Sequence, residues 1–224
     1  MKRMIEKWMG ATKAAGSRWP ALFALLALGG LNAALPPSLI LSGSRWSLLA
    51  VISVLGVPLA VSHYKGAHDA NQILGYVLNG IVTTSMVISV ALLIRALPLH
   101  LEQPKELLQS AALLWVANIL VFASWYWRLD AGGPHIRARQ GGYVSGAFLF
   151  PQMTMSADQR QAAGFKNWSP NFVDYLFLAF NTSTAFSPTD IPVLSRWAKV
   201  LMMLQSIISL LVIALLAARA VNIL

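Results

Sequence analysis

The chain has no cysteine, and charged residues make up only 11% of it. The first absence removes disulfides, thiolate nucleophiles and Cys-based metal sites together. The second removes the usual soluble surface, since a water-facing domain carries about a quarter of its residues as charges. Also missing are a nucleophile elbow, a phosphate loop, a dinucleotide fingerprint and paired catalytic carboxylates, so the sequence predicts no enzyme. Nothing in it calls for a cofactor or a metal ion. His63 and His68 are five residues apart, which does not place both imidazoles on one helical face as a zinc pair needs.

What is present is hydrocarbon: 57% of the 224 residues are hydrophobic. A bilayer core about 30 Å thick takes roughly 20 apolar residues per helical crossing. Five stretches meet that description: Pro20–Leu41, Trp46–Ser62, Ile73–Leu97, Leu107–Trp127 and Ala198–Leu224. A sixth, Phe172–Ser187, is too short and too polar at its end to count plainly, and reads either as a span or as a re-entrant helix. The expected fold is therefore an all-α polytopic transmembrane bundle of five to six spans. Its expected parts are a basic segment 1–19, a four-span region 20–127, a long loop 128–171, and a terminal unit 172–224 made of a short helix, a polar turn and a span. Seven of the eight Trp residues lie outside or at the ends of these stretches, as a headgroup-level belt would have them, and Trp115 alone lies inside one.

The net charge of +9 belongs to loops and one tail, so it points to membrane orientation and away from nucleic acid. Lys2, Arg3, Lys7, Lys13 and Arg18 precede the first apolar stretch and predict a cytoplasmic N-terminus, a retained first span and a bacterial inner-membrane location. Six spans would leave 12 of the 17 cations inside, and five spans with a re-entrant 172–187 would leave 13. Charge does not choose between them. In the loop 128–171, the apolar part of Tyr143–Met155 is expected to lie on the membrane or on the bundle. Asp130, His135 and Asp158 show no shared spacing and are expected to be dispensable.

The most unusual segment runs from Asp174 through Asn181, Thr182, Ser183, Thr184, Ser187, Pro188 and Thr189 to Asp190, directly before the last span. It resembles the pore module of tetrameric potassium channels, in which a pore helix, a T-V-G-Y-G-D filter and an inner helix follow one another. The resemblance implies a homo-oligomer that handles monovalent cations. Ser187 and Thr189 stand at the filter's two glycine positions with Pro188 between them, so a conventional carbonyl ladder is not expected. Through Thr184–Asp190 and Ala217–Leu224 the chain also resembles bacterial inner-membrane proteins that end in a similar turn and tail, a likeness that brings no activity with it.

Buried amides and hydroxyls are the other candidates: Asn32, Asn79, Thr83, Thr84, Ser85, Asn118, Gln205, Ser206 and Ser209. Their ordinary role is to join helices at about 0.6 kcal/mol each, and the sharper alternative is a lined polar pathway. The ionisable residues nearest membrane depth are Asp174, expected to cap the short helix, Asp190, expected to cap the last helix or stand in the turn before it, and Arg219, expected to reach toward the headgroups; the alternative for them is a part in transport. The functional expectation is a channel-like or transporter-like protein without a conventional potassium filter. Its rival is a membrane scaffold or accessory subunit.

Overall fold

The computed structural model describes residues 19–64, 68–99, 103–139, 146–166, 168–187 and 190–223. Pro188 and Thr189 lie outside the described residues, as do the basic segment 1–18 and the side chains of His63, His68 and Arg219. The described chain is helical: α1 (Trp19–Ala33), α2 (Ser47–Tyr64), α3 (His68–Leu99), α4 (Pro104–Leu129), α5 (Pro134–Arg139), α6 (Pro151–Thr154), α7 (Ala157–Ala162), α8 (Phe172–Ala185) and α9 (Arg196–Ile223). Among the described residues no strand forms beyond an isolated antiparallel bridge between Phe148 and Val193.

Among the described residues, three helical stretches are long and apolar enough to cross a membrane: Ala70–Ala96, Pro104–Gly132 and Arg196–Ala218. This is fewer than the five or six expected. Two further stretches, Pro20–Ala33 and Ser47–Ser62, are apolar but shorter. The first apolar run breaks early because Pro36 and Pro37 follow α1, and the chain passes into a 3-10 turn at Pro37–Leu39. At 1.5 Å per residue, the 14 residues of α8 reach about 21 Å, short of a hydrocarbon core of about 30 Å.

Helix α4 is the hub, touching α1, α3, α8 and α9. Of its most apolar window 61% is buried, against 22% for α9, so α9 keeps a broad face for lipid. The start of α4 is written in sequence: Pro104 takes the first position, and Glu106 reaches back to the Gln103 N–H at 3.4 Å. Its end is a sharp reversal through Ala131, Gly132 and Gly133, all at positive φ. Gly133 is needed there twice over, since its φ of +95° suits only glycine and a Cβ would meet the Arg128 carbonyl oxygen at 2.8 Å.

The segment 128–171, expected as a long loop with part of Tyr143–Met155 against the membrane or the bundle, carries short helices and does pack that part on the bundle. Arg128 lies inside α4 and is buried, close against Gly75 of α3, where any side chain would collide with its guanidinium. Beyond α4 come α5, α6 and α7, and the strap 147–149 lies on the end of the bundle. There Leu149 N–H donates to Pro192 O at 2.9 Å and Leu194 N–H to Ala147 O at 2.7 Å. Phe148 and Phe150 are buried and meet Tyr126, Tyr175, Trp168 and Trp197 edge-on. Part of the expected Trp belt is thus bundle packing. Trp127 is buried against Phe172 and Trp168 covers Phe150, while Trp46 remains exposed.

Candidate functional site

The terminal unit is built from α8, the segment 186–195 and α9. Helix α8 starts at a capping box: Asn171 Oδ1 accepts from Val173 N–H at 2.8 Å, and Asp174 Oδ2 accepts from Asn171 N–H at 2.7 Å. Asp174 therefore serves the cap from the third helical position, and Asn171 is the cap residue itself. Burial pushes the Asp174 carboxyl above its usual range, opposed by its bonds to the backbone N–H groups of Asn171 and Asp174. At the other end Phe186 takes a left-handed conformation (φ 52°, ψ 27°), a place more often held by glycine. A bulky residue there is strained, and no local pattern of residues signals it.

Helix α9 is capped by Ser195, whose hydroxyl accepts from Ala198 N–H at 3.4 Å, and of the two places expected for Asp190 it takes the turn and not the cap. Asp190 is exposed on the connecting segment, and Thr184 and Ser187 are exposed at the end of α8.

One network joins α8 and α9 to α4. Tyr126 O–H donates to Gln205 Oε1 at 2.6 Å, and Gln205 Nε2 donates to Ala179 O at 2.7 Å and to Ser183 Oγ at 2.8 Å. Asn118 Nδ2 reaches Gln205 O at 3.3 Å and Ser183 Oγ at 3.5 Å. Ser209 Oγ donates to Ser183 O at 2.8 Å and takes the Trp115 indole N–H at 3.2 Å. Gln205, Ser209, Ser183 and Asn118 have no exposed surface. Thr182 is buried too, but its hydroxyl bonds Leu178 O within α8.

These pairings fix the direction of the helices. Gln205 meets Ala179 and Ser209 meets Ser183, four residues later on each helix, so α8 and α9 run parallel. The chain must then travel back from the end of α8 to the start of α9 through 186–195. Ser209 is 13 residues into α9, or about 20 Å, which ten residues of extended chain can cover. The return is held at its far end by the strap, through Pro192 and Leu194. An open groove of about 560 Å³ lies along it, lined by Thr182, Phe186, Ser187, Val193, Lys199, Met202, Met203, Ser206 and Ile207.

The strap is anchored by Asp130. Its Oδ1 accepts from Ala147 N–H and its Oδ2 from Tyr175 O–H, both at 2.6 Å, and the residue is fully buried. Arg137 donates to Asp130 O at 2.6 Å and to Trp127 O at 3.0 Å, with its guanidinium 5.2 Å from the centre of the Tyr175 ring. The expected dispensability of Asp130 is therefore corrected. Replacement by Ala would leave two buried donors without their acceptor. Asp158, in contrast, is exposed in the first turn of α7.

Of the remaining candidates, Asn79 lies between α3 and α4, where its Oδ1 accepts from Ser124 O–H at 3.0 Å. Asn181 is half-buried on α8. Among the described residues no group of three or more His, Asp or Glu side chains gathers to hold a metal ion. The chain matches no family model, no curated protein and no solved structure.

Proposed function

We propose that the chain is a five-span bacterial inner-membrane protein of channel-like or transporter-like type, with a cytoplasmic N-terminus and a re-entrant α8. The observation that carries this reading is the parallel course of α8 and α9. A short helix that ends inside the apolar layer, a return segment and a parallel membrane-crossing helix follow in the order of a pore module. In this reading 13 of the 17 cations face the cytoplasm, and the re-entrant unit opens to that same side. Irregular backbone at membrane depth persists where protein or water satisfies it, which fits a return segment that faces water.

A single copy offers no through-going opening at Asn118, Ser183 and Gln205, which are buried and bonded to one another. Their role is to hold the re-entrant unit in place. Conduction would arise where the return segments of several copies meet around an axis, with Asp190 concentrating monovalent cations at the mouth. Ser187, Pro188 and Thr189 support no conventional potassium filter. The scaffold reading has one observation in its favour, the bonding of that polar cluster within the protomer. Ion flux into liposomes loaded with purified protein separates the two. Cation flux that falls in Asp190→Asn while expression and oligomer size hold supports the channel-like reading, and no flux under any gradient leaves the scaffold.

A further inference from the structure

A small, partly open cavity lies where α1, α2, α3 and α4 meet, lined by Asn32, Ser85 and Ser89 among apolar neighbours such as Leu28, Val82 and Leu114. Its volume is about 20 Å³, and one water molecule needs about 10–15 Å³. Asn32 and Ser89 are 6% and 1% exposed, and neither Asn32 Oδ1 nor Ser89 Oγ has a hydrogen-bond partner. The remaining polar contact is long, Asn32 Nδ2 to Ser85 Oγ at 3.5 Å. Ser85 and Ser89 are four apart on α3 and so share a face.

We infer that this cavity is a binding site for one water molecule, which donates to Asn32 Oδ1, accepts from the Ser89 hydroxyl and ties α1 to α3. The chemistry of the lining selects this occupant. No ionised side chain lines the site, so a cation would lose its hydration shell for a few neutral oxygens. An apolar guest would leave both orphaned groups dry, at the full cost of their desolvation. A water satisfies both with the two to four partners that buried waters have.

A structure at a resolution that shows ordered solvent should have a density peak within hydrogen-bond distance of Asn32 Oδ1 and Ser89 Oγ. Thermal denaturation of Ser89→Ala, Asn32→Leu and the double variant gives an independent reading. Each single change should lower Tm by about 2–4 °C, because it leaves the water and the other residue poorly partnered. The double variant should lose clearly less than the sum, because it removes the need for the water altogether. An empty cavity, a Ser89 hydroxyl turned onto a carbonyl of its own helix, or additive losses in Tm would overturn the inference.

Discussion

The two sides of α4 are joined to their neighbours in different ways. Toward α8 and α9 it meets a continuous network with bonds of 2.6 to 2.8 Å centred on Gln205. Toward α3 it makes two bonds, Ser124 to Asn79 and Trp125 to Thr83, which meet at Asn79 without reaching a third helix, and beyond them α1 holds to α3 through a polar contact of 3.5 Å. Within lipid, apolar side chains gain nothing by leaving one hydrocarbon for another, so shape and hydrogen bonds decide where helices sit. A helix that crosses the bilayer has its depth set by its own length. Helix α8 is too short for that, and in the re-entrant reading proposed above the network would supply the depth and register that the bilayer cannot. The polar residues are dense where the bilayer gives least guidance.

The change expected to matter most is Gln205→Leu, which keeps an apolar side chain of similar reach and removes the centre of the network. It strands the buried Tyr126 hydroxyl and leaves Ser183 Oγ with only the long contact of 3.5 Å from Asn118. With about 1–3 kcal/mol for each unsatisfied group, partly relieved by repacking, a loss of about 3 kcal/mol is expected. That is roughly 6–12 °C in Tm for a chain of this size. Ser206→Ala beside it provides the control. If the two variants melt together, the contrast between the two sides of α4 disappears.

Next in size is Asp130→Ala, expected to cost about 2–3 kcal/mol by stranding Ala147 N–H and Tyr175 O–H. Its particular sign is release of the strap: cysteines placed at Leu149 and Pro192 should cross-link in the parent and lose that cross-link in the variant. The chain's lack of native cysteine keeps that assay clean. Cross-linking that persists would mean the strap is held by the aromatic cap alone. On the other side of α4, Gly75→Ala should cost about 1–3 kcal/mol, because the Cβ meets the Arg128 guanidinium and both helices are packed around it. Thermal melting beside Gly80→Ala, where a Cβ meets nothing within 4 Å, isolates that contact.

Much of the helical layout was legible because apolar length is a direct statement about a bilayer. The stretches Ile73–Leu97, Leu107–Trp127 and Ala198–Leu224 all reappear as long apolar helices. Gln205 and Asn118 stood out as amides in apolar surroundings, but their convergence with Ser183 depends on contacts 22 to 87 residues apart, which no local pattern encodes. Asp130 was misread for the same reason. In sequence it is one acid at the head of a Gly-rich loop, and its burial comes from the strap and Tyr175 folding over it. The parallel course of α8 and α9 was hidden as well, because hydrophobicity reports how apolar a segment is and says nothing of its direction against a neighbour. Phe186 marks that turning point by its backbone, in a conformation that its side chain gives no reason to expect.

The smallest effect tests the comparison from its weaker side. Trp125 donates its indole N–H to Thr83 Oγ1 at 2.8 Å and stacks on Tyr76 with ring centres 6.3 Å apart. In Trp125→Phe the stack survives in reduced form. Thr83 is not stranded either, since its hydroxyl still donates to Asn79 O at 2.6 Å. The change therefore removes one hydrogen bond without leaving a buried group bare, at about 0.6 kcal/mol or 1–3 °C in Tm. The same accounting that assigns Gln205→Leu a large loss assigns this one a small loss, because what is left unpartnered matters more than how many bonds are cut. If Trp125→Phe melts as low as Gln205→Leu, the α3 side of the hub is as rigidly specified as the α8 and α9 side, and the network around Gln205 has no special part in placing the short helix.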